Sequence, residues 1–189
     1  MVDKFPDWFS AYAKPNFEKY LLSEASKPHL KFLQIGAYTG DASLWLAQNI
    51  LTGEFCELID IDTWLGSDEE VHETINFVDV YKTYKERMKP YPQVTSIINS
   101  SFNTLQFLQK SFDFVYVDGD HTAAGVLLDA ELSWYRLKSG GLLAFDDYQW
   151  GPHLHAFKSP KLGIDLFLER HAGEYELLES GLQVWIRKL

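Results

Sequence analysis

Apolar positions along the chain fall into two alternating kinds of segment. Short runs rich in β-branched and aromatic residues, at 31–35, 55–61, 94–98, 113–117 and 142–145, read as strands. The longer stretches between them carry helical spacing. Residues 41–51 bring Leu44, Leu46, Ala47 and Leu51 near one face and stop before Gly53. Residues 67–88 place Val71, Ile75, Val78, Tyr81 and Met88 at steps of three, four or seven. Ser67 and Glu70 suit a capping box at the start of that helix, and Lys82, Lys85, Arg87 and Lys89 suit the negative end of its dipole. Residues 122–138 predict a further helix closed by Gly140 and Gly141, and residues 160–171 another. Residues 16–26, with Phe17, Tyr20, Leu21 and Leu22, predict a helix packed onto the sheet.

Strands alternating with helices imply βαβ units and a parallel sheet, and right-handed crossovers then place helices on both faces. Beyond the last helix, residues 175–178 and 183–187 flank Glu179-Ser180-Gly181 and predict an antiparallel hairpin. The expectation is an α/β fold: a doubly wound, mostly parallel seven-stranded sheet with an antiparallel C-terminal hairpin. No internal repeat or low-complexity linker interrupts it. One domain over residues 1–189 is expected, with a helical extension at 1–30 and a helical insert or lid at 63–92.

Composition narrows the classes. At 46% apolar and 23% charged, the chain reads as globular rather than disordered. The net charge of −10 argues against a nucleic-acid surface or binding to anionic membrane, both of which need clustered Lys and Arg. The apolar runs fall short of the ~20 residues of a membrane helix, and no basic start leads into an apolar run, so a cytoplasmic protein is expected. Cys56, the single cysteine, has no disulfide partner and sits among apolar residues, which reads as an inert buried thiol in a reducing compartment.

The first strand runs into Gly36-Ala37-Tyr38-Thr39-Gly40 and then a helix. Glycines there allow a sharp turn and close approach of backbone to ligand, with the amides of the next helix facing it. The spacing is neither G-x-G-x-x-G nor a P-loop, and no lysine follows the second glycine, so a triphosphate site is disfavoured. About 20 residues on, the second strand ends in Asp60-Ile61-Asp62, where a carboxylate can accept both hydroxyls of a ribose. Together these features predict a nucleoside ligand with Asp62 or Asp60 as the clamp.

Two acidic clusters follow later strands: Asp118-Gly119-Asp120-His121 and Asp146-Asp147-Tyr148. Both fall at the carboxyl ends of parallel strands, where open α/β sheets bind ligands. Several carboxylates gathered in one crevice call for a cation, and a hard divalent ion such as Mg²⁺ is the simplest. Trp64, Tyr148 and Trp150 stand where they stack on a sugar or aromatic ring, pack a lid or form an oligomer contact, and His153 and His155 alternate like a metal pair or are plain loop residues.

In order and spacing these pieces resemble class I S-adenosylmethionine-dependent methyltransferases. The matching segments are Phe32 to Gly40, Ile61-Asp62-Thr63-Trp64, Val117 to His121, and Leu137 to Tyr148. The resemblance is nearest to small enzymes with an Asp-Gly-Asp-His segment and to metal-dependent O-methyltransferases of catechol and sugar type. It implies S-adenosylmethionine held by Gly36, Ala37, Tyr38, Gly40, Asp60 or Asp62, Ser100, Ser101 and Asp118. It implies Mg²⁺ on Asp118, Asp146 and Asp147, and Asp118 or His121 as the catalytic base. Gln34 departs from the acidic residue that often precedes the first glycine, and Asp147 stands where catechol-type enzymes carry Asn. The implied partner is a small-molecule acceptor, a sugar or diol, rather than nucleic acid or membrane, in a monomer or homo-oligomer. A non-enzymatic nucleoside-binding module on the same fold is the main alternative. A nicotinamide-dependent dehydrogenase is a weaker one, disfavoured by the glycine spacing and by the lack of an evident Tyr-x-x-x-Lys pair.

Overall fold

A computed structural model describes residues 5–67, 72 and 74–189. Seven strands form one sheet: β1 (Lys31–Ile35), β2 (Glu57–Asp62), β3 (Val94–Ile98), β4 (Phe112–Val117), β5 (Leu137–Phe145), β6 (Tyr175–Ser180) and β7 (Val184–Lys188). Their order is β3-β2-β1-β4-β5-β7-β6. The five strands from β3 to β5 are parallel, and β7 pairs antiparallel with both β5 and β6. The winding reverses between β1 and β4, so the loops leaving those strands part in opposite directions and open a crevice at their carboxyl ends.

Alternation along the strands builds a core on each face. Leu33, Ile35, Val115, Val117, Leu143 and Phe145 meet α4 (Ser101–Leu105), α5 (Ala123–Trp134) and α6 (Pro160–Arg170). Phe32, Phe114, Tyr116 and Trp185 point the other way, onto α1 (Lys14–Leu21) and α2 (Asp41–Asn49). The cluster continues on that face through Trp64 and the inward residues of α3 (Phe77–Met88). Among the described residues, no helix is long and apolar enough to cross a membrane.

Three boundaries differ from the sequence pattern. The helix expected from residue 67 begins at Phe77, because Gly66 takes a left-handed backbone (φ +82°) and the Asn76 side chain accepts from Val78 N–H as the true N-cap. Glu70 and Val71, which the capping-box and spacing argument used, lie outside the described residues. The helix expected over 122–138 ends at Trp134, and Gly140 and Gly141 lie inside β5 instead. They serve a bulge: Phe112 pairs with Leu137 but Phe114 with Leu142, and Gly140 absorbs the extra residues at φ +79°. Toward the N-terminus, helical structure starts earlier than expected, as a π-helical turn over Phe9–Ala13 leading into α1.

That N-terminal unit is fastened to the terminal hairpin. Phe17 inserts edge-on among Phe114, Tyr116 and Trp185, with ring centroids 4.9–5.7 Å away. Asn16 donates to Gln183 at 3.1 Å, and the Tyr20 hydroxyl donates to the Leu178 carbonyl at 2.8 Å.

One acid in the core does not belong to the ligand crevice. Asp60 is fully buried between β2 and α3, where Tyr84 donates to its Oδ2 at 2.7 Å. Burial outweighs that hydrogen bond and pushes its carboxyl up from 3.8 to about 7. A folded-state pKa above the unfolded one favours folding when the group is protonated. This contribution is complete below about pH 4 and is lost as the pH rises through about 7. Asp60→Asn should therefore flatten the pH dependence. In urea unfolding, wild type should lose stability relative to the variant between pH 4 and 8, ending on the order of a few kcal/mol behind. Parallel profiles would show that Asp60 is already ionised in the fold at low pH.

Candidate active site

The turn after β1 is held by contacts that leave no room for choice at Gly36. Gly36 N–H donates to Ile61 O and Asp118 N–H to Ile35 O, both at 2.9 Å, so the ends of β1, β2 and β4 interlock. A Cβ on Gly36 would fall 1.8 Å from the Asp118 carbonyl oxygen, and its backbone is left-handed at φ +82°. Gln34, buried beneath, donates to the Gly36 carbonyl at 2.8 Å and accepts from Ser43 at 3.2 Å. The residue that departs from the acidic pattern is thus a brace for the turn.

Asp62 ties the second loop to the first. Its Oδ2 accepts from the amides of Ala37 (2.7 Å) and Tyr38 (2.9 Å), and its Oδ1 from the amide of Trp64 (2.7 Å). A carboxylate offers about four acceptor positions, so about one remains, on Oδ1. Trp64 is buried against Tyr81 and Tyr84, and its indole N–H donates to Tyr38 O at 2.8 Å. Trp64 is therefore spent on packing rather than presented to the crevice.

The two acidic clusters do converge, but not as the expected trio. Asp118, His121 and Asp147 each present one ligand atom, all within 4.8 Å of one another. His121 Nε2 lies 2.9 Å from Asp147 Oδ2 and 3.9 Å from Asp118 Oδ1. Asp147 reaches this position through a left-handed backbone at φ +56°. Asp146 stands apart from that group: its Oδ2 accepts from the Tyr116 hydroxyl and its Oδ1 from Asp147 N–H, contacts that fix how its carboxylate is turned. His121 takes its place. Burial, reinforced by Asp146, drives the Asp118 carboxyl well above the usual range, and burial reinforced by Asp147 raises Asp146. Positive charge placed among them would be strongly favoured. Two carboxylates and one imidazole fit a divalent ion, and the nitrogen donor suits Mn²⁺ or Zn²⁺ at least as well as Mg²⁺.

One cavity of about 990 Å³ joins these parts, at the upper end of the roughly 300–1,000 Å³ usual for small-molecule sites. Gly36, Tyr38, Asp62, Ser100, Ser101, Asp118, His121, Asp146 and Asp147 all line it. Ala37, Gly40 and Asp60 do not. Gly40 instead starts α2 at φ +84°, packed on Tyr84 and Met88, and Asp60 lies in the core below. Ser100 caps α4, accepting from Asn103 N–H at 3.2 Å, and the Ser101 hydroxyl bonds buried Asp129. Trp150 lines the cavity with its ring 5.0 Å from that of His121, whereas Tyr148 turns away to Asp165 and Lys161. His155 caps a short turn, and neither it nor His153 joins a metal-type group among the described residues.

Sequence reasoning missed Trp8, Phe9, Tyr12, Asn99, Phe102, Asp129 and Leu182, all of which line the cavity. Asn99 and Phe102 flank the two serines and were within reach of the strand-end rule. The N-terminal aromatics and Leu182 carry no local signal, because they arrive through tertiary docking.

A doubly wound sheet with this strand order, a glycine turn at its switch point and an acid at the end of β2 defines the class I methyltransferase fold. The sequence profile of a methyltransferase domain matches residues 33–148, and the chain belongs to that family. A curated relative, an uncharacterized protein of Acanthamoeba polyphaga mimivirus, is 27% identical over 139 residues, or 71% of this chain. The match spans only 60% of that relative's length. Among solved structures, the Bacillus cereus O-methyltransferase in complex with S-adenosylhomocysteine aligns with a TM-score of 0.62 at 17% identity, covering 92% of this chain and 81% of that one. The Streptomyces achromogenes O-methyltransferase TomG, involved in tomaymycin synthesis and bound to S-adenosylmethionine, aligns at 0.65 and 16%, covering 93% and 78%. An rRNA methylase from Streptococcus thermophilus aligns at 0.58 and 15%, covering 89% and 92%. At such identities the likeness is one of fold, which small-molecule and RNA methylases share.

The steric argument at Gly36 is open to a direct check. Gly36→Ala should destabilise by at least about 3 kcal/mol, since it adds an overlap with backbone to left-handed strain. Gly173→Ala, at φ +90° with open space around it, should cost only about 1 kcal/mol. Equal losses in chemical denaturation would mean that backbone strain alone, not the contact with Asp118, requires the glycine.

Proposed function

We propose that this chain is an S-adenosylmethionine-dependent O-methyltransferase acting on a small hydroxylated acceptor, with a divalent ion held by Asp118, His121 and Asp147. The observation that carries the reading is the meeting of the Gly36 turn and the Asp118–His121–Asp147 group in one cavity, joined by the Asp118 backbone itself. Family membership supports the transfer chemistry. The donor is supported by the turn, by Asp62 and by the S-adenosylhomocysteine and S-adenosylmethionine bound in two similar folds.

When bound, S-adenosylmethionine supplies an electrophilic methyl group, which leaves with its bonding electrons remaining on sulfur as the acceptor oxygen forms the new C–O bond. A divalent ion, when bound, supplies positive charge that makes an acceptor hydroxyl more acidic and orients it. The protein's own work is placement. The Gly36 turn brings backbone close to the donor, and Asp62 fixes the Ala37 and Tyr38 amides while keeping one Oδ1 position for a ribose hydroxyl. The nucleobase would lie toward Ser100, Ser101 and Phe102, which line the same cavity. Asp118 faces both the donor turn and the cation group, so it sets the donor and acceptor side by side.

His121 Nε2 can hold an ion or take the acceptor's proton, not both at once. Its 2.9 Å approach to Asp147 also suits a base whose protonated form the carboxylate stabilises, and that is the second reading. Thermal unfolding separates the donor classes. S-adenosylhomocysteine at about 100 times its Kd should add about 2.7 kcal/mol, a rise of about 5–10 °C, with none from NAD⁺. A rise with NAD⁺ alone would overturn the donor assignment. Turnover should fall at least about a hundredfold with chelator and return with Mn²⁺ or Mg²⁺. Full activity in chelator with loss in His121→Ala would select the base reading.

A further inference from the structure

Beyond the donor turn, the cavity has a wall of its own chemistry. It is built from three places: Trp8 and Tyr12 before α1, Gln149 and Trp150 after β5, and Leu182 in the β6–β7 turn. These are tied to one another through the backbone and core. Asn16 bonds Gln183, and Tyr148 N–H donates to Leu182 O at 2.9 Å, so the N-terminal segment, the terminal hairpin and the loop after β5 form one rigid rim. Trp8 lies against Tyr38 of the donor turn, ring centroids 5.0 Å apart and tilted 34°, yet remains 37% exposed, and Tyr12 is 59% exposed. Large aromatic faces left open to a cavity, while their backbone is held fast, are surfaces for a ligand rather than parts of the core.

The same cavity is strongly acidic. Asp62, Asp118, Asp120, Asp129, Asp146 and Asp147 all line it, and among the described residues no Lys or Arg does. Burial holds Asp118, Asp129 and Asp146 partly protonated, yet no cationic side chain among the described lining residues is there to receive an acidic group. An acceptor carrying a phosphate or carboxylate would enter against that field, and one carrying an amine would be drawn in.

We infer that Trp8, Tyr12 and Trp150 select a flat, apolar-faced hydroxylated acceptor that bears no acidic group. The inference rests on the methyltransferase reading above and narrows its acceptor. Unlike a general sugar-or-diol assignment, it makes the N-terminal segment part of the specificity apparatus and gives the acceptor a sign of charge.

The test uses three catechols of nearly equal shape: 4-(2-aminoethyl)catechol, 4-ethylcatechol and 3-(3,4-dihydroxyphenyl)propanoate. Calorimetry first measures S-adenosylhomocysteine alone, then each catechol on the protein loaded with S-adenosylhomocysteine and Mn²⁺. The amine and the neutral ring should bind at least about tenfold more tightly than the acid. Trp8→Ala and Tyr12→Ala should each weaken the neutral catechol by about fivefold or more, and Tyr12→Ala should do so with the S-adenosylhomocysteine Kd unchanged. Tyr135→Ala, an exposed aromatic outside the cavity, should change neither. Equal or tighter binding of the acid overturns the charge rule. Unchanged affinity in both aromatic variants, or tighter binding of a methyl glycoside than of any catechol, overturns the aromatic wall. Failure of S-adenosylhomocysteine itself to bind would instead remove the donor reading, and this inference with it.

Discussion

The arrangement of this site depends on one steric fact: the backbone of Gly36 and the carbonyl of Asp118 occupy positions that exclude a Cβ between them. The contact exists because β1 and β4 are adjacent at the point where the sheet reverses its winding. Two loops that leave in opposite directions are thereby pressed together at their roots. The glycine turn and the acidic group become neighbours without a side-chain contact to bring them there. Asp62 extends the same logic to β2, gathering three amides onto one carboxylate. The result is a rigid frame in which the position of Asp118 follows from backbone geometry.

Electrostatics supplies the second constraint. Burial, reinforced by mutual repulsion, raises the pKa of the carboxyls of Asp118 and Asp146 at the ends of β4 and β5, so holding negative charge there is costly and added positive charge is favoured. The two clusters are not equivalent in what they can offer. Tyr116 and the Asp147 amide engage Asp146, and that leaves His121 to complete the group. A cluster that looks all-oxygen along the chain brings a nitrogen together with oxygens in space.

The rim of the cavity has a different origin. Phe17, buried among Phe114, Tyr116 and Trp185, anchors a segment that precedes the first strand, and that anchorage carries Trp8 and Tyr12 over the crevice. The terminal hairpin matters for the same reason, since β7 supplies both Trp185 and the neighbour of the turn that holds Leu182. The two ends of the chain thus meet across the sheet and close one side of the site, while the motif-bearing loops form the other.

Much of this was legible along the chain because its physical causes are local. Alternating apolar periods identify strands and helices wherever one face is buried. The glycine turn and the strand-end acids announce a ligand crevice because parallel strands place their ends together. The start of α3 and the end of α5 were misread for an equally local reason. Residues 67–76 and 135–138 continue a helical spacing, yet Asn76 caps α3 and a bulge draws residues 137–141 into β5. Tertiary structure alone decided the rest. Asp60 and Asp62 sit two residues apart on one strand face, and only depth separates a core acid from one that lines the cavity. Which of Asp146 and His121 gathers with Asp118 and Asp147 follows from how the folded chain turns each side chain. The N-terminal aromatics enter the site through packing between residues about a hundred or more positions apart, and no period or motif in a chain encodes a partner at that distance.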